Sequence, residues 1–244
     1  MSGKKEVIEK LQREILSLQG YKAPVDAIIP DFGLKPITDA FPNQILPIGA
    51  LHEFVINDPE SAAASGGFLS GLLAVLAEKT RSCVWISKAR TLFPMAIARY
   101  GLDPDRIIFI DVQTDKQVLW VTEEALKCSA LAAVVAEIRD LDLNQSRRLQ
   151  LACEHSQVTG FLMRTDPQRM ASSICAARWQ ITPLPSEQRR KKPGVGFPRW
   201  NVELLRVRNG LTGSWRVEWQ VERFAVIFPS KQDTAEIIQQ RNAG

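Results

Sequence analysis

Residues 54–76, FVINDPESAAASGGFLSGLLAVL, run as an apolar strand, a small-residue turn and the start of an amphipathic helix. That is the setting of the phosphate-gripping loop GxxxxGK[ST]. There, glycines let backbone N–H groups close around phosphates, a lysine neutralises them and a hydroxyl meets the metal. In that register Asp58 stands at the first glycine, Ser61 inside the loop, Ala63 at the second glycine, Ala64 at the lysine and Ser65 at the hydroxyl. Only Ser65 keeps its chemistry. Asp58 would place a negative charge beside a polyphosphate. The setting therefore predicts a nucleotide site and the residues oppose it, while any small-residue turn between strand and helix would look similar.

Other residues with chemical potential are sparse. Cys83, Cys128, Cys153 and Cys175 lie far apart with no CxxC pair, and His52 and His155 are the only histidines. No metal site, disulfide framework or cofactor is expected from them. Arg189, Arg190, Lys191 and Lys192 form a basic run in the loop SEQRRKKPGVGFPR. Such a run either meets nucleic-acid phosphates without sequence choice or stands as a solvated loop. Trp120, Trp179, Trp200, Trp215 and Trp219 pose a similar choice between base stacking, at about 1–3 kcal/mol per base, and burial. Trp215 and Trp219 share a strand face with Val217, which favours core or a protein interface. A net charge of +4 over 244 residues is weak support for nucleic-acid binding.

The elements that must carry these residues alternate between strand and helix, the pattern of a mostly parallel sheet. Residues 1–20 form an amphipathic helix with Val7, Leu11, Ile15 and Leu18 on one stripe, followed by a Pro-rich connector over 21–49. The helix serves either as an arm docking on another protein or as a cover for its own domain. The core spans 50–228. Within it the pattern predicts strands HEFVI, SCVWIS, RIIFID, LAAVVAEI, VTGFLMR and QITPL, and helices over 67–79, 94–100, QVLWVTEEALK, DLDLNQSRRLQLACEHS and SSICAARW. Two alternating strands, RWNVELLRVR and SWRVEWQVERFAVI, flank NGLTG as a hairpin. A polar tail occupies 229–244. With 45% hydrophobic residues, a charged N-terminus and no apolar run near the length of a membrane span, the chain reads as a cytoplasmic protein with no membrane partner.

EFVINDPESAAAS resembles the phosphate-loop region of the RecA recombinases, EIYGPESSGKT in that family, with Pro59, Glu60 and Ser61 in ungapped match. LPIGALHEF, YGLDPDRIIF, LWVTEEALKC, SRRLQLACEHSQVTGFLMR, AARWQITPLPS and RWNVELLRVRNGLTGSW carry a finer resemblance to the RecA-like, SulA-related ImuA family, over roughly residues 40–220. The resemblance implies a RecA-like α/β core with a mostly parallel sheet, helices on both faces and a C-terminal antiparallel hairpin. It puts Ala89 where the recombinases hold the carboxylate that activates water, and Glu137 near their metal-binding aspartate. With the loop lysine, second glycine and base gone, no ATP hydrolysis is expected. The connections that hold DNA in recombinases shorten here to RDLDLNQ and TDPQR, although Arg139, Arg147, Arg148, Arg164 and Arg169 keep basic character nearby.

By the same resemblance, the chain is a non-catalytic adaptor in SOS-induced translesion synthesis. It would assemble with an ImuB-type inactive Y-family polymerase and an error-prone replicative-type polymerase complex. The implied further contacts are RecA or self-association through the N-terminal helix, weak non-specific DNA contact, and nucleoid association under DNA damage. Two other readings stay open, a SulA-like inhibitor of FtsZ-dependent division and a weak nucleotide-binding ATPase.

Overall fold

The computed structural model describes residues 30–77, 81–166, 173–186 and 196–227. The arm residues Val7, Leu11, Ile15 and Leu18, the basic run 189–192 and the polar tail lie outside the described residues. Nine described strands form one sheet: β1 (Leu51–Val55), β2 (Ser82–Ser87), β3 (Ile107–Asp111), β4 (Leu131–Ile138), β5 (Thr159–Arg164), β6 (Ala177–Leu184), β7 (Arg199–Val207), β8 (Gly213–Gln220) and β9 (Arg223–Ile227). Their order is β3-β2-β4-β5-β1-β6-β7-β8-β9. Neighbours from β3 to β6 run parallel, and β6 to β9 run antiparallel. The described α-helices are α1 (Pro59–Ala77), the single turn α2 (Pro94–Ile97), α3 (Asp115–Leu126) and α4 (Leu143–Ser156).

Burial on both faces explains the unbroken apolar runs of the central strands, since crossover helices cover a parallel sheet on each side. α1 joins Phe54, Trp85, Phe161, Trp179 and Trp200 in one core. On the other face α3 and α4 contribute Val118, Leu126, Leu149 and Cys153 to a second core around Val84, Val134 and Leu162. Both of those helices open with a reciprocal capping box, Thr114 with Gln117 and Asp142 with Gln145. On the α1 side the meander comes so close that a Cβ on Gly71 would sit 2.6 Å from Phe224 Cζ.

Four expectations need correction. Helix α1 begins at Pro59, well before residue 67, so the anticipated turn DPESAAAS is helical almost throughout. At 19 residues and a hydropathy of 1.3 it is also long and apolar enough to cross a membrane, yet 67% of that stretch is buried, as in a core helix. The core begins before residue 50. Phe32, Leu34, Ile37, Phe41 and Leu46 from the Pro-rich connector are buried in the α1-side core, although its described residues, 30–49, are irregular apart from two 3-10 turns. SSICAARW is not a helix where it is described: Ser173–Ala176 is irregular and Ala177 opens β6, because pairing with β1 and β7 outweighs local propensity. Finally, SWRVEWQVERFAVI is two strands. Val221 and Glu222 turn the chain with φ of 42° and 63°, so β9 folds back on β8.

Candidate functional site

Strand β1 delivers the chain to the degenerate loop. Only Ile56, Asn57 and Asp58 separate β1 from α1. The Asp58 carboxylate accepts from Ser61 N at 2.6 Å, and the Asp58 carbonyl accepts from Ala62 N at 3.1 Å. Ser61 turns its hydroxyl back into the bend, where Oγ accepts from Asn57 N at 3.0 Å and Asp58 N at 3.1 Å and donates to the Asp58 carbonyl at 2.8 Å. The amides that would face a phosphate are thus bonded to the chain itself, and an acidic cap stands where a ligand anion would approach. Ala62 to Ala64 favour this, since alanine has the highest helix propensity.

The remaining positions divide by helix face. Ala63 is exposed, Ala64 and Ser65 are buried, and the Ser65 hydroxyl has no hydrogen-bond partner among the described residues. Glu137, at the end of β4, accepts from Trp85 Nε1 at 3.0 Å. Burial pushes its carboxyl above the usual range, with the indole N–H pulling the other way. Ala89 is exposed between two surface ion pairs, Lys88 with Asp115 at 2.5 Å and Arg90 with Asp111 at 2.6 Å. No group of three His, Cys, Asp or Glu side chains able to hold a metal occurs among the described residues. Burial pushes the Cys83 thiol up to about 12, so it stays protonated and unreactive.

Beside the loop lies a cleft of about 780 Å³, lined by Ala63 and Ala64 together with Tyr100, Trp200 and Trp219 among others. Its rim holds Arg99, Glu222 and Val221, the last 81% exposed. Two positions that would serve phosphates in a nucleotide loop therefore border an aromatic cleft.

The other candidates scatter. Trp179, Trp200 and Trp219 are core residues, Trp215 packs against the core, and Trp120 is exposed on α3. Arg139 pairs with Asp166 at 3.5 Å and Arg148 with Glu123 at 2.5 Å. Arg164 is wholly buried and cannot meet DNA at the surface. Arg169 lies outside the described residues. The connection after β4 is short, as expected; residues 165–176 lie between β5 and β6, and 167–172 of them lie outside the described residues.

No family model matches the chain. Protein ImuA from two strains of Caulobacter vibrioides is 33% identical over 214 residues, which covers 82% of this chain and 86% of the relative. The chain belongs to the ImuA family. Membership agrees with the resemblance carried by segments such as LPIGALHEF and RWNVELLRVRNGLTGSW. The ImuA-family chain is also similar to the cell division inhibitor SulA of Serratia marcescens, at 26% identity over 121 residues, 50% of this chain and 70% of that one. Among solved structures, SulA from Pseudomonas aeruginosa matches at 21% identity with a TM-score of 0.41, over 48% of this chain and 98% of the other.

Proposed function

We propose that this ImuA-family chain is a non-catalytic adaptor with a RecA-like core, working in SOS-induced translesion synthesis. It assembles with an ImuB-type inactive Y-family polymerase and an error-prone replicative-type polymerase complex, and the polymerase performs the reaction. It works in the cytoplasm and associates with the nucleoid under DNA damage. One observation carries the non-catalytic reading: α1 starts at Pro59, so the loop positions 58–65 are capped and bonded within a helix. A nucleotide phosphate needs those amides free and a lysine beside them. The sheet order, with β1 leading through the degenerate loop into α1, supports the RecA-like reading of the core.

Purified full-length protein with magnesium, ATP and single-stranded DNA tests the first half, with no turnover above background expected. Turnover that Ser65→Ala abolishes would sink the reading. For the second half, the ImuB-type partner should be captured by the wild type and less well by a chain truncated after Pro229, with cooperative melting retained. Leu11→Asp should disrupt whatever assembly the arm makes, while serines at Arg189, Arg190, Lys191 and Lys192 should reduce only salt-sensitive DNA retention.

Similarity to a cell division inhibitor over half of the chain favours one second reading, inhibition of FtsZ-dependent division. Expression that causes filamentation without raising mutation frequency would select it.

A further inference from the structure

The sheet face opposite α1 carries a buried ionic cluster. Glu53, in the middle of β1, is fully enclosed. Its Oε1 accepts from Arg164 Nη1 at 2.9 Å, and its Oε2 accepts from Ser173 Oγ at 2.7 Å and Arg178 Nε at 3.0 Å. Strand register assembles the group. Arg178 lies opposite Glu53 on β6, and Arg164 lies opposite Val55 on β5, two residues along β1 from Glu53. The period of two therefore turns all three side chains to one face. Arg206 of β7 stands opposite Arg178 and donates to the Ser173 and Cys175 carbonyls at 2.7 and 3.0 Å. Glu53 thus binds two guanidinium groups, those of Arg164 and Arg178.

Arg164 is the member left incomplete. Its side chain has no exposed surface and its Nη1 is engaged by Glu53, yet among the described residues Nε and Nη2 have no hydrogen-bond partner. Those two donors share one edge of the guanidinium plane. That edge meets a carboxylate or phosphate through two parallel N–H···O bonds. A buried cationic edge left without acceptors is strongly unfavourable. The next acid in the chain, Asp166, pairs with Arg139, and residues 167–172, PQRMAS, contain none. Arg164 also closes β5, where its carbonyl accepts from Ile56 N at 3.0 Å.

We propose that the buried edge of Arg164 is a binding site for a small oxyanion with two oxygens in one plane, a phosphate or a carboxylate. Arg178, 19% exposed, stands between the cluster and solvent and supplies the second positive charge. Ser173 hangs on the same cluster through its hydroxyl bond to Glu53 Oε2. The site is separate from the degenerate loop and independent of the adaptor reading.

The full chain, labelled with ¹⁵N, is titrated with inorganic phosphate and, separately, with acetate at constant pH and ionic strength. One arginine Nε signal is expected to shift saturably, with a melting temperature that climbs as anion is added. Arg164→Lys keeps the charge but lacks the two-pronged edge, and should lose that signal and weaken binding at least about tenfold. Should that variant not fold, Arg178→Gln, at a partly exposed position, should weaken the same titration. A response to phosphate alone assigns a phosphoryl ligand; a response to acetate as well, or to acetate alone, assigns a carboxylate-accepting site. No saturable shift in either arm overturns the proposal, as does a response unchanged in Arg164→Lys or, where that variant does not fold, in Arg178→Gln.

Discussion

Acidification should destabilise this protein through His52. The ring lies in β1 with no exposed surface, with ring centroids 5.6 Å from Phe161 and 6.2 Å from Trp179. Nε2 lies 2.8 Å from the Pro47 carbonyl and Nδ1 lies 3.3 Å from Trp179 Nε1. Because the indole N–H can only donate, this network assigns the neutral tautomer with its proton on Nε2. Burial pushes the pKa down to about 4, against a smaller upward pull from Pro47. An unfolded histidine titrates near 6.5. Between about pH 6.5 and 4 the unfolded chain therefore binds a proton that the native chain refuses, so stability is complete above the window and falls as pH drops through it. A gap of roughly 2.5 units, at about 1.4 kcal/mol each, comes to about 3.5 kcal/mol. That is a large share of the ~5–15 kcal/mol by which a domain is normally stable. Urea unfolding followed by tryptophan fluorescence, in steps from about pH 7.5 to 4.5, isolates the effect when wild type and His52→Gln are compared. Carboxylate titrations act on both. The variant should be weaker at the upper end, where packing and two hydrogen bonds are lost, and the gap should close by about 2–3 kcal/mol at the lower end. Parallel profiles would refute a neutral, buried His52.

Ser65→Ala should be neutral or stabilise by up to about 1 kcal/mol in chemical denaturation, because it deletes a buried hydroxyl without a partner among the described residues; a loss would reveal a bond the hydroxyl makes. Ala64→Lys should not confer binding of labelled ATP and should lower the melting temperature, since position 64 is buried in α1. Gly71→Ala should cost about 1–3 kcal/mol by overpacking against Phe224 and Trp219, and a neutral result would mean β9 lies further from α1. Glu53→Ala should cost about 3–5 kcal/mol, because it strands Arg164 and Arg178. If it melts like the wild type, the buried pairing is wrong.

Where a strand is buried on both faces, its apolar run is its own marker, and LAAVVAEI was readable residue for residue as β4. The start of α4 is marked in the sequence by an acidic residue, and Asp142 caps it. The start of α1 was just as marked, since an acidic residue followed by proline at the first helical position is a start signal. Laying a nucleotide-loop pattern over Asp58–Ser65 concealed it. Other features had no local signal. Val221–Glu222 turns sharply without glycine or asparagine, and only the pairing of β8 with β9 reveals it. Arg164 looks like a surface cation in sequence, and becomes a buried partner of Glu53 only when β5 is set beside β1.

The degenerate loop is more than a site with parts removed. Alanines at 62–64 suit a helix, an acidic cap at Asp58 starts it and Ser61 fills the bend, so each departure from the nucleotide pattern adds to α1 what it takes from phosphate binding. The added length has a position. Ala64 and Ser65 enter the α1-side core, and Ala63 and Ala64 line the cleft together with Tyr100, Trp200 and Trp219. Recovering a phosphate loop would require unwinding the start of α1, breaking its cap and withdrawing buried surface from that core. These interactions reinforce one another, so no single substitution should restore the chemistry. A start of α1 held by its own cap would serve the adaptor proposed above, which needs a surface that keeps one shape between partners.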